Sequence, residues 1–273
     1  MTRWIAGALL PLLFVACSPN NVTVDNDLKK YFDQHKVDGT FGLFDNGQGH
    51  FSVYNLSRFT DSAYSPASTF KIVNSLIGLE TGAVLDSSTV ITWDSVNRGR
   101  TECNRSMSMQ EAFRLSCPPW YQQMARRIGK PAMQKWLDTL GYAQRYGKFT
   151  IGDNIDTFWL DNSAKVTADE ELGIVKKLYF DQLPFQKRSQ RIVRDMMQWE
   201  KNDKYSLYYK TGWGFTEKNH ALGWIVGWIE ENNHPYFFVL QLESADHNYD
   251  MKPARIAILK DILKQYGFME GKR

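Results

Sequence analysis

The chain has 273 residues, 43% hydrophobic and 14% aromatic, enough to bury a large core as one domain or two intimate lobes. A formal charge of +3, evenly spread, argues against a nucleic-acid partner, and Arg126-Arg127 and Lys176-Lys177 read as solvated helix faces. His35, His50, His220, His234 and His247 lack ligand spacing and no Cys-x-x-Cys occurs, so no metal site is expected.

In chain order, the N-terminus reads MTRWIAGALLPLLFVACSPNN: one Arg, an apolar run from Trp4 to Ala16 too short to span a bilayer, and a small residue before Cys17. This predicts an export signal over 1–17 and a mature single domain over 18–273, located in the periplasm. FVAC is similar to a bacterial lipobox, which would make Cys17 a lipid anchor to the membrane. Ordinary cleavage is the other reading, because Phe14 stands where leucine is usual. With Cys17 lipidated, an oxidising compartment leaves Cys103 and Cys117 as an even pair, either bridged or two buried thiols.

DNDLKKYFDQH predicts a capped amphipathic helix, and GTFGLFDNGQGHFSVYNL two short strands about Asn46-Gly47-Gln48-Gly49. YSPASTFKIVNSLIGLETG, from Tyr64 to Gly82, predicts a long apolar helix closing at the glycine. Helices continue to about Glu200. Ser108-x-x-Glu111 and Thr167-x-x-Glu170 are capping boxes, and Pro118-Pro119 end one helix after Ser116 and let another begin near Trp120. KYSLYYKTGWG and HALGWIVGWIEENNHPYFFVLQLES predict three strands, the last two a hairpin. PARIAILKDILKQYG predicts a final helix with Ile256, Leu259, Ile262 and Leu263 apolar. The expected class is α+β: an antiparallel sheet built from roughly 22–60 and 203–273, with a mostly helical lobe, roughly 61–202, inserted between them.

The chemistry concentrates in three places. Ser68 and Lys71 lie one helical turn apart, so their side chains share a face. A serine hydroxyl needs a neighbour to take its proton, and a lysine can do this only when burial keeps it uncharged; Phe70, Ile72, Val73, Leu76 and Ile77 supply such surroundings. Ser116 falls at the helix break. Lys210-Thr211-Gly212 lies on a predicted strand whose alternation projects Lys210 into a cleft, while Gly212 would let a substrate approach the backbone. Alone, Ser-x-x-Lys is weak; followed in order by a serine at a helix break and Lys-Thr-Gly, it is the motif set of penicillin-recognising serine enzymes.

On SPASTFK, LSCPPWYQQMARRIG, IDTFWLD and YKTGWG, the chain resembles the class D, oxacillinase-type, serine β-lactamases over its whole domain. The resemblance implies a transpeptidase-like fold and hydrolysis of β-lactam antibiotics through a serine acyl-enzyme. It makes Ser68 the nucleophile and Lys71 the general base, carboxylated by CO2 or bicarbonate to N6-carboxylysine, with no other cofactor. Trp159 would hold the carbamate and Leu160 cover it. Ser116 would relay protons to the lactam nitrogen. Lys210, Thr211, Gly212 and Arg255 would bind substrate, and the backbone N–H groups of Ser68 and Trp213 would form the oxyanion hole. A surface arginine is the other reading of Arg255.

Two departures stand out. The family's Ser-x-Val is Ser116-Cys117-Pro118 here, which removes a branched side chain that shields the lysine. The family's Tyr-Gly-Asn matches either Tyr142-Ala143-Gln144 or, preferred on composition, Tyr146-Gly147-Lys148, with neither taken as catalytic. Three competitors remain: a penicillin sensor or a D-alanyl-D-alanine peptidase, both of which acylate and release slowly, and a non-catalytic exported lipoprotein. The expected partner is a small β-lactam, with no nucleic acid and a monomer or homodimer as the assembly.

Overall fold

The computed structural model describes residues 21–273; the predicted export signal and Cys17 lie outside them. The chain enters as β1 (Val22–Val24), passes through a 3-10 turn capped by Asp25, and forms α1 (Lys29–Gln34). The hairpin expected about Asn46–Gly49 follows as β2 (Asp38–Asp45) and β3 (His50–Tyr54). Next come α2 (Leu56–Asp61), capped by Asn55, and α3 (Lys71–Glu80). Short strands β4 (Val90–Ile91) and β5 (Met107–Ser108) pair with each other, apart from the main sheet.

The helical lobe continues as α4 (Met109–Leu115), α5 (Pro118–Ile128), α6 (Lys130–Leu140), α7 (Ala168–Tyr179) and α8 (Lys187–Met196). Both capping boxes form: Ser108 caps α4 with Glu111 and Thr167 caps α7 with Glu170, each pair satisfying otherwise orphaned backbone donors. The chain then returns through β6 (Gln198–Lys201), β7 (Ser206–Phe215), β8 (Ala221–Glu231), β9 (His234–Ser244) and α9 (Met251–Gln265).

Seven strands form one sheet in the order β1-β3-β2-β9-β8-β7-β6. The sheet is antiparallel except that β1 lies parallel to β3, and it includes β6, which falls inside the stretch expected to be helical. Strands β8 and β9 run through its centre, so both their faces are buried and both sequences read as nearly continuous apolar runs. Alternation divides their side chains between two cores. Ile225, Phe238 and Leu240 meet Ile258, Leu259 and Ile262 of α9 on one face. Trp224, Trp228 and Val239 meet the helical lobe, including Leu172 and Val175 of α7, on the other. The edge of β7 faces the 3-10 turn Ala67–Phe70, and this junction between the two lobes is where the predicted chemistry gathers.

Candidate active site

Ser68 sits in the 3-10 turn, not in an α-helical turn as the sequence suggests; α3 begins at Lys71. With three residues per turn, positions i and i+3 eclipse one another, which suits direct contact better than an α-turn does. Lys71 Nζ donates to Ser68 Oγ at 2.8 Å. The amine is buried completely, lies 5.2 Å from the centre of the Tyr121 ring, and pairs with no acidic side chain among the described residues. Burial, and after it the charge of Arg100, hold its pKa down to about 7. The preceding Ala67 has φ +49°, a left-handed conformation that costs a non-glycine residue on the order of 1 kcal/mol. The surroundings impose it: Thr69 N–H donates to Pro66 O at 3.1 Å, and Ser65 Oγ donates to the Trp159 carbonyl at 2.8 Å.

Ser116 is the left-handed C-cap of α4, at φ +58°. Pro118 cannot continue a helix but suits the first turn of one, so α4 stops and α5 starts, leaving the hydroxyl free of either ladder. Lys210 Nζ donates to Ser116 Oγ and to the Thr211 carbonyl, both at 2.9 Å. Burial, then the charges of Lys71, Arg255 and Arg100, hold Lys210 well below the ordinary lysine range. Two amines thus each serve one serine, and neither has an acidic partner among the described residues.

Cys117 is bonded to Cys103, so the bridged reading of this pair holds. Beside it Arg100 donates to the carbonyls of Leu115, at 2.8 Å, and Ser116, at 3.1 Å. The disulfide and this guanidinium together pin the Ser116 turn to the loop before β5. Replacing both cysteines by serine should therefore cost stability: the bridge spans 14 residues, a loop for which a loss of about 3 kcal/mol is expected. Chemical denaturation of the double variant against the parent checks this, and an unchanged midpoint would contradict it.

Ser68, Ser116, Thr211, Leu160, Trp213 and Arg255 line one cleft of about 500 Å³. Trp159 lies behind it, fully buried and stacked 5.1 Å from Phe70, and its indole Nε1 has no hydrogen-bond partner among the described residues. Arg255 is 8% exposed, donates to the Gly212 carbonyl, and is pulled down to about 10 by burial; it is a cleft residue and not a surface arginine. Gly212 sits against protein atoms on the side where its side chain would project. A Cβ there would stand 3.0 Å from Trp224 Cβ and 3.2 Å from Pro66 O, so the missing side chain makes room for the neighbouring strand's Trp224 and for the turn carrying Ser68.

Tyr146 is 66% exposed and donates to the Asp61 carbonyl at the surface. Tyr142 is buried and packs 5.5 Å from Phe70, behind the nucleophile's turn; neither tyrosine lines the cleft. Sequence reasoning missed Arg100, Arg114 and Trp199, all of which line it. Arg114 stacks 3.8 Å from the Trp199 ring, a contact between α4 and β6 with no local signature.

The penicillin binding protein transpeptidase domain family matches residues 25–264. Among curated relatives, the chain is similar to β-lactamase OXA-5 of Pseudomonas aeruginosa, 33% identical over 97% of this chain and 98% of that one. It is 37% identical to β-lactamase OXA-48 of Klebsiella pneumoniae over 86% of each chain. Among solved structures, it is similar to the class D β-lactamase FUS-1 (OXA-85) of Fusobacterium nucleatum subsp. polymorphum. That likeness has a TM-score of 0.83 at 31% identity and covers 91% of this chain and all of that one.

Proposed function

From the premise that this chain belongs to the class D β-lactamases, serine enzymes that hydrolyse β-lactams, we propose that it acts through an acyl-enzyme on Ser68, with Lys71 as general base. The observation that carries the proposal is the 2.8 Å contact between Ser68 Oγ and an entirely buried Lys71 Nζ at the foot of the cleft. Burial keeps a large share of the amine uncharged near neutral pH, so it accepts the hydroxyl proton as Oγ attacks the lactam carbonyl. The backbone N–H groups of Ser68 and Trp213 serve the developing oxyanion. Ser116 passes a proton to the lactam nitrogen as the C–N bond breaks, and Lys210, 2.9 Å away, replaces it. Thr211 and Arg255 take the substrate carboxylate, the guanidinium offering paired donors.

A carbamate on Lys71 fits this site. An apolar cavity favours the uncharged amine that reacts with CO2, and the unpartnered Trp159 Nε1 is a donor suited to an anion. When present, the carbamate supplies a carboxylate-type base for the water that releases the acyl group. Pro118 lines the cleft in place of the family's valine, so the cover over Lys71 depends more on Leu160. Export to the periplasm, with Cys17 as lipid anchor or cleavage product, belongs to the same reading.

Mixing the purified protein with a chromogenic cephalosporin tests the proposal: many turnovers per molecule are expected, with a transient adduct in the intact mass. A single stoichiometric burst and a persistent adduct would instead indicate a sensor or a slowly released peptidase-type acyl-enzyme.

A further inference from the structure

Thr69, next to the nucleophile, has one hydroxyl proton and two oxygens within reach of it. Its Oγ1 lies 2.8 Å from the Pro66 carbonyl oxygen and 3.0 Å from Glu171 Oε1. Glu171, on α7, is 2% exposed, and Tyr142 O–H donates to the same Oε1 at 2.9 Å. With the carboxyl ionised, the single threonine proton serves one neighbour and leaves the other facing a bare lone pair, an unfavourable contact in a buried site. With the carboxyl protonated the conflict disappears. Its O–H donates to Thr69 Oγ1, Thr69 O–H donates to Pro66 O, and Tyr142 O–H donates to the acid, so every proton has an acceptor.

Pro66 O is where this chain of hydrogen bonds meets the catalytic turn. It also takes Thr69 N–H at 3.1 Å, and it abuts β7 at Gly212. Between Pro66 and Thr69 lie Ala67, in its left-handed conformation, and Ser68. We propose that Glu171 is a positioning residue for the reaction: as a neutral acid it feeds a hydrogen-bond chain through Thr69 to Pro66 that fixes the turn bearing Ser68, and its ionisation breaks that chain.

Burial is the main cause raising Glu171, to about 7, and the charge of Glu170 adds to it against the hydrogen bonds from Tyr142 and Thr69. Tyr142, from the segment after α6, and Glu170, from its own helix, are the titratable groups acting on it. The elements packed against α7, namely α2, α8, β2, β8 and β9, place no charged group on it among the described residues. A carboxyl raised in the folded state gives stability that is complete below its unfolded pKa, about 4.3, and is lost as pH rises through the folded value.

The kinetic test rests on Ser68 acylation, so it is paired with one that does not. Infrared difference spectra of the full chain between about pH 5 and pH 9 should show a protonated carboxylic acid band lost on titration and absent from Glu171→Gln. In single-turnover acylation by benzylpenicillin, followed by intact mass, the wild-type rate relative to that of Glu171→Gln should fall about three- to tenfold over the same range, the worth of one hydrogen bond. The amide supplies a donor and an acceptor at every pH, and Lys71 titrates in both proteins, so the ratio isolates Glu171. Where Glu171→Gln does not fold, Thr69→Val, which removes the shared hydroxyl, should lose the same alkaline fall. A constant ratio would overturn the positioning role, and a missing acid band would overturn the neutral acid. Absence of any adduct in the wild type would count against the acyl-enzyme reading instead, leaving the infrared result to decide this one.

Discussion

Ser68→Ala should leave benzylpenicillin unattached: intact mass should show no adduct at any time, and turnover of a chromogenic cephalosporin should fall by roughly four to six orders of magnitude. The expectation follows from how little else in the cleft can replace the hydroxyl. Ser116 Oγ is engaged by Lys210, whose other hydrogen bond goes to the Thr211 carbonyl. Lys71 Nζ is fully buried against Ser68, which lines the cleft as Lys71 does not. The substitution is a fair test because the turn does not depend on Oγ for its shape. Backbone and side-chain hydrogen bonds from Thr69 to Pro66 O hold it, and Ser68 Oγ accepts from Lys71 Nζ alone among the described residues. Circular dichroism should match the parent. A folded Ser68→Ala that still carried a penicillin adduct, or still turned over substrate at a tenth of the parent rate, would remove Ser68 from the mechanism.

Much of this site was legible because its signals are local. Ser68-x-x-Lys71, the helix break at Pro118 and the alternation through Lys210 each concern fewer than about ten residues, the range over which turn chemistry and periodicity speak. The central strands were legible for the same reason, as long apolar runs joined by a tight turn. What escaped depends on contacts between distant segments. Arg100 gives no hint in RGRTECNRS that it will grip the carbonyls of Leu115 and Ser116, and Trp199 becomes a cleft wall only because β6 joins the sheet. The short strand β1 pairs parallel with β3, a choice made by the chain that passes between them and not by three residues of Val-Thr-Val. Gly212 shows the limit of a local signal. A glycine in a strand signals close approach, but the sequence does not say of what; here the protein groups that approach it are Trp224 and Pro66. Composition drew attention to Tyr146-Gly147-Lys148, while burial places Tyr142 nearer the nucleophile.

Substitution of Lys71 should separate chemistry from stability in opposite directions. Lys71→Ala and Lys71→Met remove the base, so both acylation and release should fall by at least about three orders of magnitude, comparable with the loss of an activating base elsewhere. In the wild type the uncharged amine is the form that takes the Ser68 proton and that reacts with CO2, so activity should rise with pH through about 7 and then level. Added bicarbonate should raise it further, and a rate unmoved by bicarbonate from about pH 6 to pH 9 would count against the carbamate. The stability effect has the reverse sign. A lysine whose folded pKa is depressed gives stability that is complete only above its unfolded value, about 10.4, and that is lost as pH falls through the folded value of about 7. Below neutrality the fold therefore carries an ammonium that it has buried without a carboxylate. Lys71→Met, similar in length and apolar, should remove that penalty, less about 1 kcal/mol for the hydrogen bond Ser68 loses, for a net gain on the order of 2 kcal/mol near pH 6. Denaturant midpoints of the two proteins at about pH 6 and pH 9 measure it: the gap should be wide at the lower pH and narrow at the higher. An inactive Lys71→Met that was no more stable than its parent near pH 6 would mean that the ammonium finds solvent or a counter-charge when it forms. The general base would then have to be an ordinary charged lysine, which has no means of taking a proton from Ser68.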